Sequence, residues 1–103
     1  MKKSQLDIKE FIEKYSLESN LESRILDLVS EVGEVAKEIL KSSDYGKRKP
    51  ESSDELELEI GDVVYSLAAV ANYFEIDLEE AAYKALEKYM KRFENKGNID
   101  SGK

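Results

Sequence analysis

The 103-residue chain contains no cysteine, no histidine and no tryptophan, and it has a single proline. Without cysteine and histidine it cannot form disulfides, thiolate or imidazole metal sites, or nucleophiles of the Ser-His and Cys-His types. Ionic chemistry in this protein must therefore use carboxylates, lysine, arginine or tyrosine.

Long apolar runs are absent as well. The longest mainly apolar stretch, residues 63–74, is interrupted by Ser66 and Asn72 and falls short of the roughly 18 residues of a membrane span. No charged segment leads into an apolar one, as it does in secretory signals. We therefore expect a cytoplasmic protein that does not attach to membranes. The net charge of −7 disfavours nucleic-acid binding and suits recruitment of cations, although solubility alone also explains an acidic surface.

The composition and the capping patterns predict an all-α fold. Only five glycines occur, and no segment alternates apolar and polar residues as a half-buried strand does. Apolar spacing and capping residues predict four helices, at about residues 4–15, 19–41, 52–74 and 77–95. Ser19–Glu22 and Ser52–Glu55 have the spacing of capping boxes, and Asp77 is placed to cap the fourth helix. We expect residues 1–96 to form one bundle-like four-helix domain, with residues 97–103 as a flexible tail.

The third helix is apolar or small on nearly every side over residues 63–74. A helix that is apolar all round is buried all round. In a chain this short, one way to bury such a helix is to place it between subunits. We therefore expect a homodimer or homotetramer built on the third helix.

Two acidic pairs share one sequence template. Residues 31–35 read Glu-Val-Gly-Glu-Val, and residues 59–63 read Glu-Ile-Gly-Asp-Val. Carboxylates three residues apart share one helix face, about 5–6 Å apart at Cβ, and repel each other unless they share a cation. Two further acids of the second helix, Asp27 and Glu38, fall in the same stripe as its pair. Helix stability alone does not call for such a stripe.

The template also places Gly33 and Gly61 inside helices, where each costs about 1 kcal/mol relative to alanine. Close approach of the two helices would explain both glycines and would bring the acidic pairs together. The alternative is a solvated charged helix face, but two matched pairs favour a site. Oxygen ligands without His or Cys suit Mg²⁺, or Mn²⁺. The predicted ligands are Glu31, Glu34, Glu59 and Asp62.

These residues resemble the motifs of the MazG-like branch of the all-α nucleoside triphosphate pyrophosphatases, which read Glu-Glu-x-x-Glu and then Glu-x-x-Asp. Glu31 and Glu34 match the second and third glutamates, and Ser30 stands at the first. Glu59 and Asp62 match the later pair. The resemblance continues through residues 61–65, 76–81 and 88–93, the last being similar to the family's Lys-Phe-x-x-Arg-Phe ending, and covers about residues 21–96.

The resemblance implies Mg²⁺-assisted hydrolysis of a nucleoside triphosphate to the monophosphate and pyrophosphate, often to remove noncanonical or surplus nucleotides. Glu34 is then our choice for the base that activates water. Lys88 and Arg92, four residues apart on one face of the fourth helix, are expected to bind the phosphates, with ion pairing or solvation as the alternative.

Departures from the family pattern concern the choice of substrate. Leu86 stands where the family often has asparagine, and no tryptophan is present to stack on a base. Phe11, Tyr15 or Tyr45 would have to do so, and the sequence does not choose among them. Three cations of the connector, Lys47, Arg48 and Lys49, either close over the triphosphate or belong to a solvated loop.

Two other functions stay open. Phosphoribosyl-ATP pyrophosphohydrolase has similar acidic pairs, but the ending at residues 88–93 favours the MazG-like branch. The second open function is a noncatalytic helical dimerisation module with a relict site. The retained acids and glycines argue against it, because a relict site gains stability by losing them.

Overall fold

The computed structural model describes residues 2–96, and within this range it contains four α-helices and no strand. They are α1 (Lys2–Lys14), α2 (Leu21–Ser42), α3 (Asp54–Tyr73) and α4 (Leu78–Lys96). The predicted all-α, four-helix fold is confirmed, while the predicted tail at residues 97–103 lies outside the described residues. No helix in the described range is both long enough and apolar enough to cross a membrane.

The helix ends differ from the prediction by one or two residues. The N-cap of α2 is Asn20, not Ser19, because the extended backbone of Asn20 lets its side chain accept a 2.7 Å hydrogen bond from the Ser23 amide. In the same way Ser53, not Ser52, caps α3 by accepting from the Leu56 amide at 3.0 Å. Both predicted capping boxes were therefore wrong by one residue. The Asp77 cap is present, since its carboxylate accepts from the backbone amides of Glu79 and Glu80.

The connector between α2 and α3 begins with a tightly hydrogen-bonded turn. The Tyr45 amide donates to the Leu40 carbonyl at 2.7 Å, and the Arg48 amide donates to the Ser43 carbonyl at 2.9 Å. Gly46 has a φ of +91°, a conformation that favours glycine. The turn reverses the chain, so that α3 runs back along α2.

Packing is concentrated on α2, α3 and α1. The largest helix contact is between α2 and α3, α1 packs against α3, and α4 makes its main contact with α1. The buried residues of α3 are Ser66, Ala68, Ala69 and Ala71, and they are buried within one chain. Contacts within the chain therefore account for the burial of these four small residues, whereas the larger Ile60, Leu67 and Tyr73 of the same helix remain exposed.

The chain is nevertheless open for its length. Its radius of gyration is 16.6 Å, against about 13 Å for a compact domain of this size. Among the described residues, no large side chain is fully buried, and many large apolar side chains of α2 and α4 are exposed.

A buried glutamine holds the corner between α3 and α4. The side-chain amide of Gln5 donates to the Asn72 side chain at 2.9 Å and to the Ile76 carbonyl at 2.7 Å, and its oxygen accepts from the Leu78 amide at 2.9 Å. One residue of α1 therefore links the end of α3, the turn and the first amide of α4.

Candidate metal centre

Antiparallel packing of α2 against α3 brings the two acidic pairs together. One carboxylate oxygen from each of Glu31, Glu59 and Asp62 lies within 4.8 Å of the other two. All three side chains are half-buried. Three of the four predicted ligands thus form one group, which we call the carboxylate cluster.

The electrostatics of the cluster favour a positive partner. Partial burial and the charges of Asp62 and Glu59 raise the pKa of Glu31 above its ordinary value, and a hydrogen bond to Asp62 contributes. Partial burial, followed by the charges of Asp62 and Glu34, raises the pKa of Glu59. Glu31 and Glu59 are therefore harder to ionise in this partly buried, acidic setting than as free side chains.

Glu34 lies at the edge of this group. Its side chain is exposed and its oxygens are outside the 4.8 Å cluster, yet its charge contributes to the raised pKa of both Glu31 and Glu59. Glu38, one turn further, pairs with Lys41 at 3.6 Å. The acidic stripe of α2 thus continues past the cluster on the same side of the helix.

The two template glycines do not act as the sequence suggested. A Cβ atom at Gly33 or Gly61 would meet no atom outside its own neighbourhood within 4 Å, and both residues are exposed. The prediction that they permit close approach of α2 and α3 is therefore wrong for the single chain. Beside the acids of α2, the larger side chains of Leu28 and Val35 are half-buried.

The cluster fits a hard divalent cation. Its donors are carboxylate oxygens from two different helices, and Mg²⁺ prefers one or two carboxylates together with water and phosphate oxygens. Partial burial and mutual repulsion raise the pKa values of Glu31 and Glu59, and a bound cation would offset both effects. The geometry provides a candidate metal centre open to solvent on one side.

The predicted phosphate-binding cations share an aromatic neighbour. The Lys88 ammonium lies 4.7 Å from the centroid of the Tyr89 ring, and the Arg92 guanidinium lies 5.7 Å from it. Both are on α4, which makes its main contact with α1 rather than with α2. The structure therefore brings the two cations together but does not place α4 against the acidic helix. The sequence reasoning missed Tyr89, although its position between them was visible.

Of the three aromatic candidates for base stacking, Phe11 contacts α3, one of the two helices that carry the cluster. Its ring is 6.3 Å from the ring of Tyr65, one turn after Asp62 on α3, and 5.1 Å from that of Tyr15. Tyr45 lies exposed in the α2–α3 connector. In the same connector Arg48 is held within the turn, since its Nε donates to the Ser42 carbonyl at 3.0 Å.

A separate cleft of about 320 Å³ lies between α1, the start of α2 and the end of α3. Its lining includes Lys9, Arg24 and Tyr73 but none of the predicted metal or phosphate ligands. The carboxylate cluster is therefore distinct from this cleft.

Fold and site together define a class: an all-α domain in which two antiparallel helices gather carboxylates suited to a hard cation. Residues 19–96 match the model of the MazG nucleotide pyrophosphohydrolase domain. The chain belongs to the MazG nucleotide pyrophosphohydrolase family, as its resemblance predicted.

Two comparisons with proteins of Bacillus subtilis agree with this assignment. The uncharacterized protein YpjD of strain 168 is 38% identical over 68 residues, which are 63% of this chain and 60% of that protein. The matched region thus spans less than two thirds of this relative. A crystal structure of YPJD from Bacillus subtilis, named as a candidate pyrophosphatase, has a TM-score of 0.68 and 34% identity. The structural match covers 86% of this chain and 91% of the YPJD chain. Family and neighbour together support a pyrophosphohydrolase.

Proposed function

We propose that the protein hydrolyses nucleoside triphosphates to nucleoside monophosphates and pyrophosphate with Mg²⁺, or with Mn²⁺ in its place. The observation that carries the proposal is the carboxylate cluster, in which three acids from two helices lie within 4.8 Å of one another. Membership of the MazG family supports a nucleotide as the substrate. We further propose a cytoplasmic role in removing unwanted nucleotides, carried out by a homodimer or homotetramer without nucleic-acid or membrane partners.

In this proposal Glu31, Glu59 and Asp62 hold the metal, with Glu34 beside them as a fourth ligand or as the base. A bound Mg²⁺ would neutralise phosphate oxygens and stabilise the leaving pyrophosphate. Glu34 is suited to the role of base because it lies at the exposed edge of the cluster. Water attacks the α-phosphorus, and Glu34 accepts a proton from this water. The bond between the α-phosphorus and the α–β bridging oxygen breaks, and pyrophosphate leaves.

The remaining substrate contacts are assigned to α4 and α1. Lys88 and Arg92 bind phosphate oxygens, because they are two cations held beside one ring on one side of α4. Phe11 stacks on the base, because its ring contacts Tyr65, one turn from Asp62. In the connector the Arg48 side chain is engaged within its own turn, so we assign Arg48 no role in closing over the triphosphate.

Pyrophosphate release from a panel of ribo- and deoxynucleoside triphosphates, with Mg²⁺ and with EDTA, tests the proposal. Phosphoribosyl-ATP belongs in the panel, since its selective hydrolysis would assign the chain to that alternative. Metal-dependent release from at least one nucleoside triphosphate is the expected result. No release from any compound would favour the noncatalytic helical module.

A further inference from the structure

A cleft of about 320 Å³ lies between α1, the start of α2 and the end of α3, and the proposed hydrolysis does not use it. Its floor is apolar, because Ile12 and Ala69 are buried there. Tyr73 forms one wall, and its ring centroid lies 4.9 Å from that of the Phe74 ring. Proteins bind small molecules in cavities of about 300–1,000 Å³ that are largely apolar with a few polar groups. We call this space the α1 cleft.

Four charged side chains line the α1 cleft, two of each sign. They are Lys9, Glu13, Glu18 and Arg24. On the same helix Lys3 and Asp7, four residues apart, pair at 3.0 Å. Lys9 and Glu13 have the same spacing, but within residues 2–96 neither of them forms an ion pair. Both signs of charge are therefore presented to an occupant of the cleft.

Helix α1 separates this cleft from the proposed substrate site. Lys9 and Glu13 each lie two residues from Phe11, so they point about 160° round the helix from it. Phe11 contacts Tyr65, one turn from the carboxylate cluster, on one side of α1. On the other side the cleft reaches Tyr73, about 12 Å further along α3 than Tyr65. An occupant of the cleft is therefore a different molecule from the nucleotide whose base Phe11 is proposed to stack on.

We propose that the α1 cleft binds a free amino acid with a large apolar or aromatic side chain. The side chain of this ligand packs on the apolar floor and on the Tyr73 ring. Its carboxylate binds the cations of the cleft, and its ammonium group binds the acids. One Nη of Arg24 donates to the Leu17 carbonyl, which anchors the planar guanidinium beside the cleft as a partner for the carboxylate.

The charges of the cleft favour an amino acid over a nucleotide or a neutral molecule. The phosphates of a nucleotide would lie beside Glu13 and Glu18, whose charges repel them. A neutral apolar molecule would use the floor but none of the four charged side chains. A free amino acid carries an ammonium and a carboxylate on the same carbon atom, so it meets both signs of charge while its side chain covers the floor.

Titration of the full-length protein by heteronuclear NMR, with Mg²⁺ and without nucleotide, tests the proposal. The ligands are L-phenylalanine, L-tryptophan and L-leucine, together with N-acetyl-L-phenylalanine and L-phenylalaninamide, which each lack one charge. We expect saturable binding of at least one free amino acid and about tenfold weaker binding of each blocked derivative, because one charge-assisted contact is lost. The amide signals of residues 9–13 and 69–73 should shift, whereas those of residues 31–34 and 59–62 should not.

Paired substitutions test the contact with the ammonium group. Glu13→Gln with Glu18→Gln should weaken binding of the free amino acid about tenfold but leave N-acetyl-L-phenylalanine unaffected, because this derivative has no ammonium group. Glu10→Gln with Glu22→Gln is the matched control, since it removes two acids outside the cleft and should change neither affinity. All four positions are exposed, so the variants should fold like the wild type, which urea unfolding verifies. Equal weakening of both ligands would refute the contact.

Other results would overturn the proposal as a whole. Absence of saturable binding by every free amino acid is one, and equal binding of the free and blocked forms is another. Shifts confined to residues 31–34 and 59–62 would place the amino acid on the metal instead. Tighter binding of adenosine or cytidine, with shifts at residues 9–13 and 69–73, would assign the cleft to a nucleoside. None of these measurements uses catalysis, so their outcome is independent of the proposed hydrolysis.

Discussion

The carboxylates of Glu31 on α2 and Asp62 on α3 approach within 4.8 Å of each other across two antiparallel helices. Partial burial and the charge of Asp62 raise the pKa of Glu31, and no local feature of either helix requires this contact. The carboxylates of the cluster repel one another without a cation and would be stabilised by a bound one. The stability of this protein is thereby linked to its proposed function.

Removal of one ligand should separate activity from stability. We expect Asp62→Asn to lower pyrophosphate release by about 100-fold, because a ligated metal contributes several kcal/mol to the transition state and each 1.4 kcal/mol is a factor of ten. The same change should stabilise the metal-free protein in urea, because it removes one of three repelling charges. Asp7→Asn, an exposed residue paired with Lys3 on α1, serves as the control and should change neither. An active Asp62→Asn enzyme would refute the proposed metal site.

The metal-free protein should become less stable as pH rises through the titration of the cluster. The folded-state pKa values of Glu31 and Glu59 are raised, so the folded chain holds more protons than the unfolded chain between the ordinary glutamate pKa and the raised values. Stability is therefore greater below the ordinary pKa and is lost as pH rises to the raised one. Urea unfolding from about pH 4 to pH 8 in EDTA measures this slope.

Saturating Mg²⁺ should flatten that slope, and so should the double substitution Glu31→Gln with Glu59→Gln. If neither the double variant nor the metal changes the pH dependence, the slope arises elsewhere in the chain. A rise in stability with pH over the same window would contradict the assigned direction of both pKa shifts.

Substitution of Phe11 should weaken binding more than turnover. Stacking of a base on an aromatic ring contributes about 1–3 kcal/mol, so Phe11→Ala should raise KM by roughly 5- to 150-fold while kcat stays within a few-fold. Phe11→Tyr keeps the ring and should retain most of the affinity. Steady-state kinetics with the best substrate of the panel decide the matter, and an unchanged KM would leave Tyr15 or Tyr45 as the stacking residue.

The cations of α4 can be tested against a lysine of the same helix. Loss of a charge-assisted hydrogen bond costs about 1.5–3 kcal/mol, so Lys88→Gln should lower kcat/KM by roughly 10- to 100-fold. Arg92→Lys should also lower it, because lysine lacks the bidentate fork. Lys84→Gln is the control, since Lys84 pairs with Glu80 at 3.1 Å. Equal kinetics of the Lys84 and Lys88 variants would mean that Lys88 does not bind phosphate.

The corner between α3 and α4 should depend on one amide side chain. Gln5→Leu removes three part-buried hydrogen bonds and leaves their partners without this side chain, which should destabilise the protein by about 2–4 kcal/mol in urea. The neighbouring Ser4→Ala, at an exposed position, should change stability by less than about 0.5 kcal/mol. A neutral Gln5→Leu would mean that the packing of α1 on α3 holds the corner without these bonds.

Much of the fold could be predicted from the sequence, because the signals that start and end helices are local. Apolar spacing and capping residues predicted all four helices, and only their ends moved, to Asn20 and Ser53, since adjacent residues such as Ser19 and Ser52 are equally able to cap. The burial of α3 was predicted correctly only in part, because Leu67 and Tyr73 of this helix are exposed in the single chain. Ala68 and Ala71 are covered by the chain's own helices, which sequence periodicity cannot distinguish from cover by a second subunit.

The sequence by itself determined the chemistry available to this protein and the spacing of its acids. The absence of histidine and cysteine left oxygen ligands, and the helical repeat placed Glu31 beside Glu34 and Glu59 beside Asp62. Only the tertiary structure decided that Glu31 joins the α3 pair while Glu34 stays at the edge, and that Gln5 binds residues 67 to 73 positions away. The reason is physical: spacing along one helix follows from its own geometry, whereas contacts between helices depend on how distant side chains pack.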